Sequence, residues 1–149
     1  MVYAVIDTNI FVSAFITKNA TASTRRVINS LFAGKIKPLY NDEIIEEYSE
    51  VLHRSKFHLA DKDIQRLLYF IQINGIDSSR FPYDGDMPDE DDRVFYEVAL
   101  SEEDSFLVTG NLKHFPKTPK VVTASQMMEI LDYGESVSYT HLTLPTIER

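Results

Sequence analysis

The chain has 149 residues, 44% hydrophobic and 26% charged, the proportions of one soluble globular domain with a core of its own. It contains no cysteine, which excludes disulfides and thiolate metal sites and leaves oxygen and imidazole as the available ligands. A net charge of −8 argues against binding a polyanion with the whole surface, and no run is long enough to span a membrane.

No basic stretch with an apolar core opens the chain as a signal peptide would, so a cytoplasmic protein with no membrane association is expected. Val2 to Ile6 are uncharged and rich in β-branched residues, the pattern of a strand buried on both faces. Asp7 ends that run, with Thr8 and Asn9 behind it, and residues 10–16 turn apolar again. In an open parallel sheet, ligands bind at the carboxyl ends of the strands. Asp7 therefore stands where burial stops and a crevice begins, although capping of the next helix is the plainer role for an Asp there.

Hydroxyl caps are offered by Thr21, Ser23 and Thr24 to a helix carrying Val27, Ile28, Leu31 and Phe32, with Gly34 as its stop. Ile36 to Tyr40 reads as a second strand, and Pro38 inside it suggests an edge position or a short strand. Asn41 or Asp42 caps the next helix, whose stripe is Ile44, Ile45, Tyr48, Val51 and Leu52; Glu47 falls at the border of that stripe. Another helix runs from about Asp61 to Ile73 and is broken by Asn74-Gly75. Residues 77–88 are turn-rich and read as a loop. Asp89-Glu90-Asp91-Asp92 then opens a helix with Val94, Phe95, Val98, Ala99 and Leu100, and four acids exceed what a helix N-terminus needs. Asp92 shares a face with Tyr96 and Ala99, and Asp89 lies within reach of the same place. Phe106 to Thr109 is a third strand stopped by Gly110-Asn111, Val121-Val122 a fourth, and Thr123 or Ser125 caps a last helix with Met127, Met128 and Leu131.

Strand alternating with helix predicts a three-layer α/β/α sandwich around a central, mainly parallel sheet over residues 1–132. Residues 133–149 read as an irregular tail, closer to a translated adapter than to domain sequence; a strand swapped with a partner is the alternative. Strand ends and helix starts deliver Asp7, Glu47, Asp89, Asp92, Thr109 and Asn111 from far-apart segments. Clustered carboxylates repel one another and lose solvation, and an all-oxygen set of this kind suits Mg²⁺ or Mn²⁺. Such a site activates water and stabilises charge on a phosphoryl oxygen, the chemistry of metal nucleases.

Val5-Ile6-Asp7-Thr8-Asn9, Glu47-Tyr48 in a helix ending Val51-Leu52-His53-Arg54, Asp89 to Tyr96, and Leu107-Val108-Thr109-Gly110-Asn111 stand in the order and approximate spacing of a PIN domain. More narrowly, the chain resembles the PIN-family toxin components of bacterial toxin–antitoxin systems. The resemblance covers roughly residues 1–132 and implies a metal-dependent endoribonuclease that hydrolyses RNA phosphodiester bonds. It implies that Asp7, Glu47 and Asp92 are the catalytic and metal-binding acids, that Asp89 is an auxiliary ligand or a helix cap, and that Thr109 polarises the far side of the site. Thr8 and Asn9 would orient Asp7 and its water. Many relatives carry an acid where this chain has Asn111, which brings a carbonyl oxygen but no charge, so one metal is expected in place of two. A cognate antitoxin, held in an apolar groove on the helical face, and a homodimer are further implications. RNA phosphates are expected to approach over a basic rim of Arg25, Arg26, Lys113 and Lys117.

Two rival readings are weaker. A receiver-type or haloacid-dehalogenase-type phosphotransfer protein would also place an Asp after its first strand. The first needs a neighbouring acid pair and a late Lys, and the second needs an Asp where Asn9 stands. A PIN-fold module of low or no activity, binding RNA or a protein partner, is favoured by Asn111 and opposed by the retention of Asp7, Glu47 and Asp92.

Overall fold

Ala4, Val5 and Ile6 are consecutive and fully buried. Neighbours on a strand point to opposite faces, so three buried in a row require cover on both sides of the sheet. The computed structural model describes residues 1–143, with side chains through residue 134. Its sheet contains β1 (Val2–Ile6), β2 (Ile36–Tyr40), β3 (Ile76–Asp77), β4 (Phe106–Val108) and β5 (Val121–Val122), all parallel, in the order β3-β2-β1-β4-β5. Among the described residues six α-helices flank it: α1 (Thr8–Ile16), α2 (Ser23–Phe32), α3 (Asp42–Leu52), α4 (Asp61–Asn74), α5 (Arg93–Leu100) and α6 (Ala124–Thr143). This is the expected α/β architecture, and among the described residues no helix is long and apolar enough to cross a membrane.

The path of the chain fixes where a crevice forms. From β1 it moves outward to β2 and β3, then returns to lay β4 against the other side of β1, with Ala4 opposite Phe106 and Ile6 opposite Val108. Strand order thus reverses between β1 and β4, and the crevice opens at their carboxyl ends. The core beneath it is aromatic. Tyr48 packs edge-on against Phe11 at 5.0 Å and tilted against Phe95 at 6.1 Å, joining α1, α3 and α5.

Local chemistry accounts for most of the boundaries. Asn41 accepts a 2.9 Å bond from the Ile44 amide and starts α3. At the end of α2, Gly34 adopts φ +83°, its N–H bonds to Leu31, and the Lys35 N–H bonds to Ser30, a glycine-terminated helix end that a side chain at residue 34 would strain. Thr123 and Gln126 cap α6 reciprocally, each side chain accepting from the other's amide, at 3.1 and 2.9 Å.

Four expectations differ from the structure. The hydroxyl cap on α2 does not form: Ala22 occupies the cap position, Thr21 is turned to Asn19, and Thr24 faces Ser13. Pro38 is not on an edge strand, because β3 pairs beyond it; that pairing spans only Leu39 and Tyr40 and so makes no demand on the missing Pro38 N–H. Asp77, read as loop, ends that two-residue strand. Gly75 admits β3 to this position, since a Cβ there would lie 2.5 Å from both the Pro38 and Ile71 carbonyl oxygens. As for the tail, α6 continues through Thr143, past the point where an irregular segment was expected, each added residue closing a further backbone bond. Residues 144–149 lie outside the described residues.

Candidate active site

Asp7 follows the last residue of β1 and is only 6% exposed. Its amide donates to the Val108 carbonyl at 2.9 Å, which pins it to the end of β4. Asp7 occupies the cap position of α1, yet its side chain makes no capping bond. Instead Oδ2 accepts from the Thr109 hydroxyl at 2.7 Å and from the Asn9 amide at 3.3 Å. Both bonds fall on one oxygen and so set the orientation of the carboxylate. They are braced in turn: the Asn111 amide donates to Thr109 Oγ1 at 3.0 Å, and the Gly110 amide to Asn9 Oδ1 at 3.1 Å. The loops after β1 and β4 are thereby stitched together around Asp7. Burial raises the Asp7 pKa, against the lowering effects of Thr109, the Thr8 amide, His114 and Asn9.

The other acids arrive from α3 and from the approach to α5. Asp92 ends a 3-10 turn (Glu90–Asp92) that Asp89 caps by accepting from the Asp91 amide at 3.0 Å. The turn is held by Arg93, which pairs with Glu90 at 2.7 and 2.9 Å and donates to the carbonyls of Tyr83 and Gly85. Asp92 is pushed up to about 6, first by burial and then by the charges of Asp7 and Asp89, with His114 opposing. Glu47, half-buried on α3, is also raised, by burial first and then by Glu50, Asp91 and Asp7 against Arg54. Below it lies an acidic cleft of about 380 Å³ lined by Glu47, Glu50, Glu90 and Asp91, with Arg80 on its wall. Tyr48, beside Glu47, donates its buried hydroxyl to the Ile6 carbonyl and ties α3 to the end of β1.

Asp7, Asp92 and Glu47 therefore share one electrostatic neighbourhood, with Thr109 and Asn9 gripping Asp7 and Asp89 contributing charge from an exposed position. Asn111 joins through its backbone; its side chain is exposed. Of the basic rim, Lys113 and Lys117 are exposed on the turn that follows β4. Arg25 and Arg26 lie on α2, the first donating to the Thr17 carbonyl at 3.3 Å and the second 3.8 Å from Asp132. Two residues escaped the sequence reading. His114 Nδ1 stands 3.3 Å from Asp92 Oδ2, brought there by the 3-10 turn Leu112–His114, and Asp91 faces Glu47. A lone His at residue 114 carries no periodic signal, and Asp91 is hidden inside its own acidic run.

Mutually repelling carboxylates held above their ordinary pKa suit a hard divalent cation. The Thr8 hydroxyl adds to this, being buried beside Asp7 with no hydrogen-bond partner among the described residues. Among the described residues no three Asp, Glu or His side chains already converge on a single point, so these are neighbouring donors and not a closed coordination sphere. A family model described as PIN domain matches residues 3–113, a span that includes every one of the candidate acids. No curated protein matches the chain.

Proposed function

The chain belongs to the PIN-domain family, and from that premise we propose that it is an endoribonuclease dependent on Mg²⁺ or Mn²⁺ and the toxin of a toxin–antitoxin pair. The observation that carries the reading is Asp7, a carboxylate 6% exposed at the reversal of strand order, oriented by Thr109 and surrounded by further acids. Asp7, Glu47 and Asp92 would hold the cation, with Asp89 nearby. When bound, such a cation lowers the pKa of a water and neutralises charge on a phosphoryl oxygen.

The remaining steps belong to the chain's own residues. Thr109 and Asn9 keep Asp7 in one orientation, so its charge is aimed before substrate arrives. His114 occupies one oxygen of Asp92 and limits its rotation. The unpartnered Thr8 hydroxyl is available to a water or a phosphate oxygen at the buried end of the crevice. Lys113 and Lys117 lie on the turn leading away from Thr109 and favour approach of a polyanion that the acids alone would repel. An antitoxin docking surface is supported by exposed Phe32 in a groove that Phe15, Leu59, Ile64 and Leu67 also line.

The test compares purified wild type with Asp7→Asn on a mixed structured RNA after chelator treatment, with and without added Mn²⁺. Metal-dependent cleavage by wild type that is lost in Asp7→Asn is expected. The exposed, uncharged Asn111 favours a second reading, a PIN-fold module that binds RNA or a protein without cutting. Absence of both cleavage and a Mn²⁺-induced thermal shift would decide for it.

A further inference from the structure

The segment between β3 and α5 borders the acidic cleft, and one of its side chains joins the two helices that flank that cleft. Arg80 donates through Nη1 to both oxygens of Glu43 on α3, at 2.9 and 3.0 Å, and through Nε to Glu97 on α5 at 2.8 Å. Glu43, Glu46, Glu47, Glu50, Glu90 and Asp91 line the cleft, and Arg80 is the one base among its lining residues. The two ends of this clamp differ. Glu97, with 9% of its side chain exposed, is a buried anchor; its other carboxylate oxygen accepts from the Tyr83 amide at 2.8 Å, and its backbone carbonyl accepts from the Phe81 amide at 3.0 Å. Glu43 has 58% of its side chain exposed, and an ion pair so accessible to water contributes little to stability. Its effect is on position.

Glu43 stands one helical turn before Glu47, so the two carboxylates leave the same side of α3. Asp92 is joined directly to Arg93, the first residue of α5, so a shift of α5 carries Asp92 with it. Asp91, whose charge acts on Glu47, rides on the same element. We propose that Arg80 is a positioning residue of the active site, holding α3 against α5 so that Glu47 and Asp92 meet one cation. The proposal rests on the reading of those acids as a cation site. A guanidinium suits the task because its planar fork serves two carboxylates at fixed angles, which the single ammonium of a lysine does not. Charge alone argues against an arginine here, since a positive group repels the cation that the acids attract. Position and charge thus predict opposite effects when Arg80 is replaced, and the sign decides between them.

The experiment measures Mn²⁺ affinity of the full chain by calorimetry, at a temperature where circular dichroism shows each variant folded. Arg80→Gln is expected to weaken Mn²⁺ binding about tenfold, the low end for residues that support metal ligands, although loss of a positive charge by itself would tighten it. Arg80→Lys keeps the charge, loses the fork and falls about as far. Glu43→Gln spares the buried bond between Arg80 and Glu97. It should weaken Mn²⁺ more than Glu46→Gln, which removes the same charge from the same cleft outside the clamp. This pair of exposed positions decides the matter even where the arginine variants unfold. Unchanged or tighter binding in Arg80→Gln and Arg80→Lys overturns the proposal, as does an equal effect of Glu43→Gln and Glu46→Gln. A wild type that binds no Mn²⁺ sinks the reading of the acids as a cation site, and the role of the clamp with it. RNA cleavage is followed in parallel. Clamp-dependent Mn²⁺ binding without cleavage sinks the nuclease reading and keeps the clamp; cleavage with clamp-independent binding does the reverse.

Discussion

Asp92→Asn should make the metal-free protein more stable, and by an amount that depends on pH. Asp92 has 16% of its side chain exposed and is held at about 6 by burial and by the charges of Asp7 and Asp89. In the unfolded chain the same group returns to about 3.8. A folded pKa above the unfolded one means that the folded state keeps a proton the unfolded state has released. The associated stability is complete below pH 3.8, declines as pH rises, and is gone above about pH 6. At about 1.4 kcal/mol per tenfold, the ionised carboxylate costs the fold about 2–3 kcal/mol at pH 8. An amide removes that cost. Chemical denaturation and thermal scans in chelator should therefore show Asp92→Asn ahead of wild type by about 2–3 kcal/mol at pH 8, roughly 4–12 °C for a chain of this size. The two should converge near pH 4. Added Mn²⁺ should narrow the gap at pH 8 by stabilising the wild type more. A variant no more stable than wild type at pH 8, or a gain that does not shrink on acidification, would refute the account of Asp92 as a carboxylate crowded by its neighbours.

Thr109→Val removes the 2.7 Å donor to Asp7 and should lower Mn²⁺ affinity about 10–100-fold by calorimetry; unchanged affinity would show that Thr109 does not orient Asp7. Glu97 is buried, bonded to Arg80 and to the Tyr83 amide at 2.8 Å each, and although burial raises its pKa these partners bring it below the ordinary value. Glu97→Ala should cost about 3 kcal/mol near neutrality. With the folded pKa lowered, the wild-type advantage is present above the unfolded value and is lost as pH falls through the folded one, which denaturation at pH 7 and pH 3 will test. Gly75→Ala places a Cβ against two carbonyl oxygens and should detach β3, at a cost of about 1–3 kcal/mol. The readout is hydrogen exchange at the Ser78 amide, which donates to Tyr40 at 2.7 Å; retained protection would mean the clash is absorbed elsewhere.

Asp7 and Thr109 were legible in the sequence because each follows an apolar run, and a polar residue at the end of a buried strand has few places to go except a crevice. Glu47 was legible only as a border position, and half-burial is where it lies. The chain could not announce His114 in the same way, since its approach to Asp92 depends on a three-residue 3-10 turn with no hydrophobic period. Nor could Ile76-Asp77 declare itself a strand: two exposed residues carry no alternation, and their pairing is decided by how Gly75 fits against Pro38. The cap of α2 failed for a related reason, because the local partners Asn19 and Ser13 take the hydroxyls first. Long apolar segments wrote the fold into the sequence, whereas contacts made by short turns appear only once the fold has closed.

The two ends of the sheet have a consequence for the protein in a crowded solution. β3 and β5, the outermost strands, are two residues each, whereas β1 and β2 at the interior have five. A strand with so little free backbone is a poor template for an incoming chain, so sheet-to-sheet growth into oligomers or fibrils finds almost nothing to register against. The long ladders are sealed in the middle, where helices cover them. Among the described residues, the surface such a sheet offers a partner is thus made of side chains on helices and turns more than of strand edges.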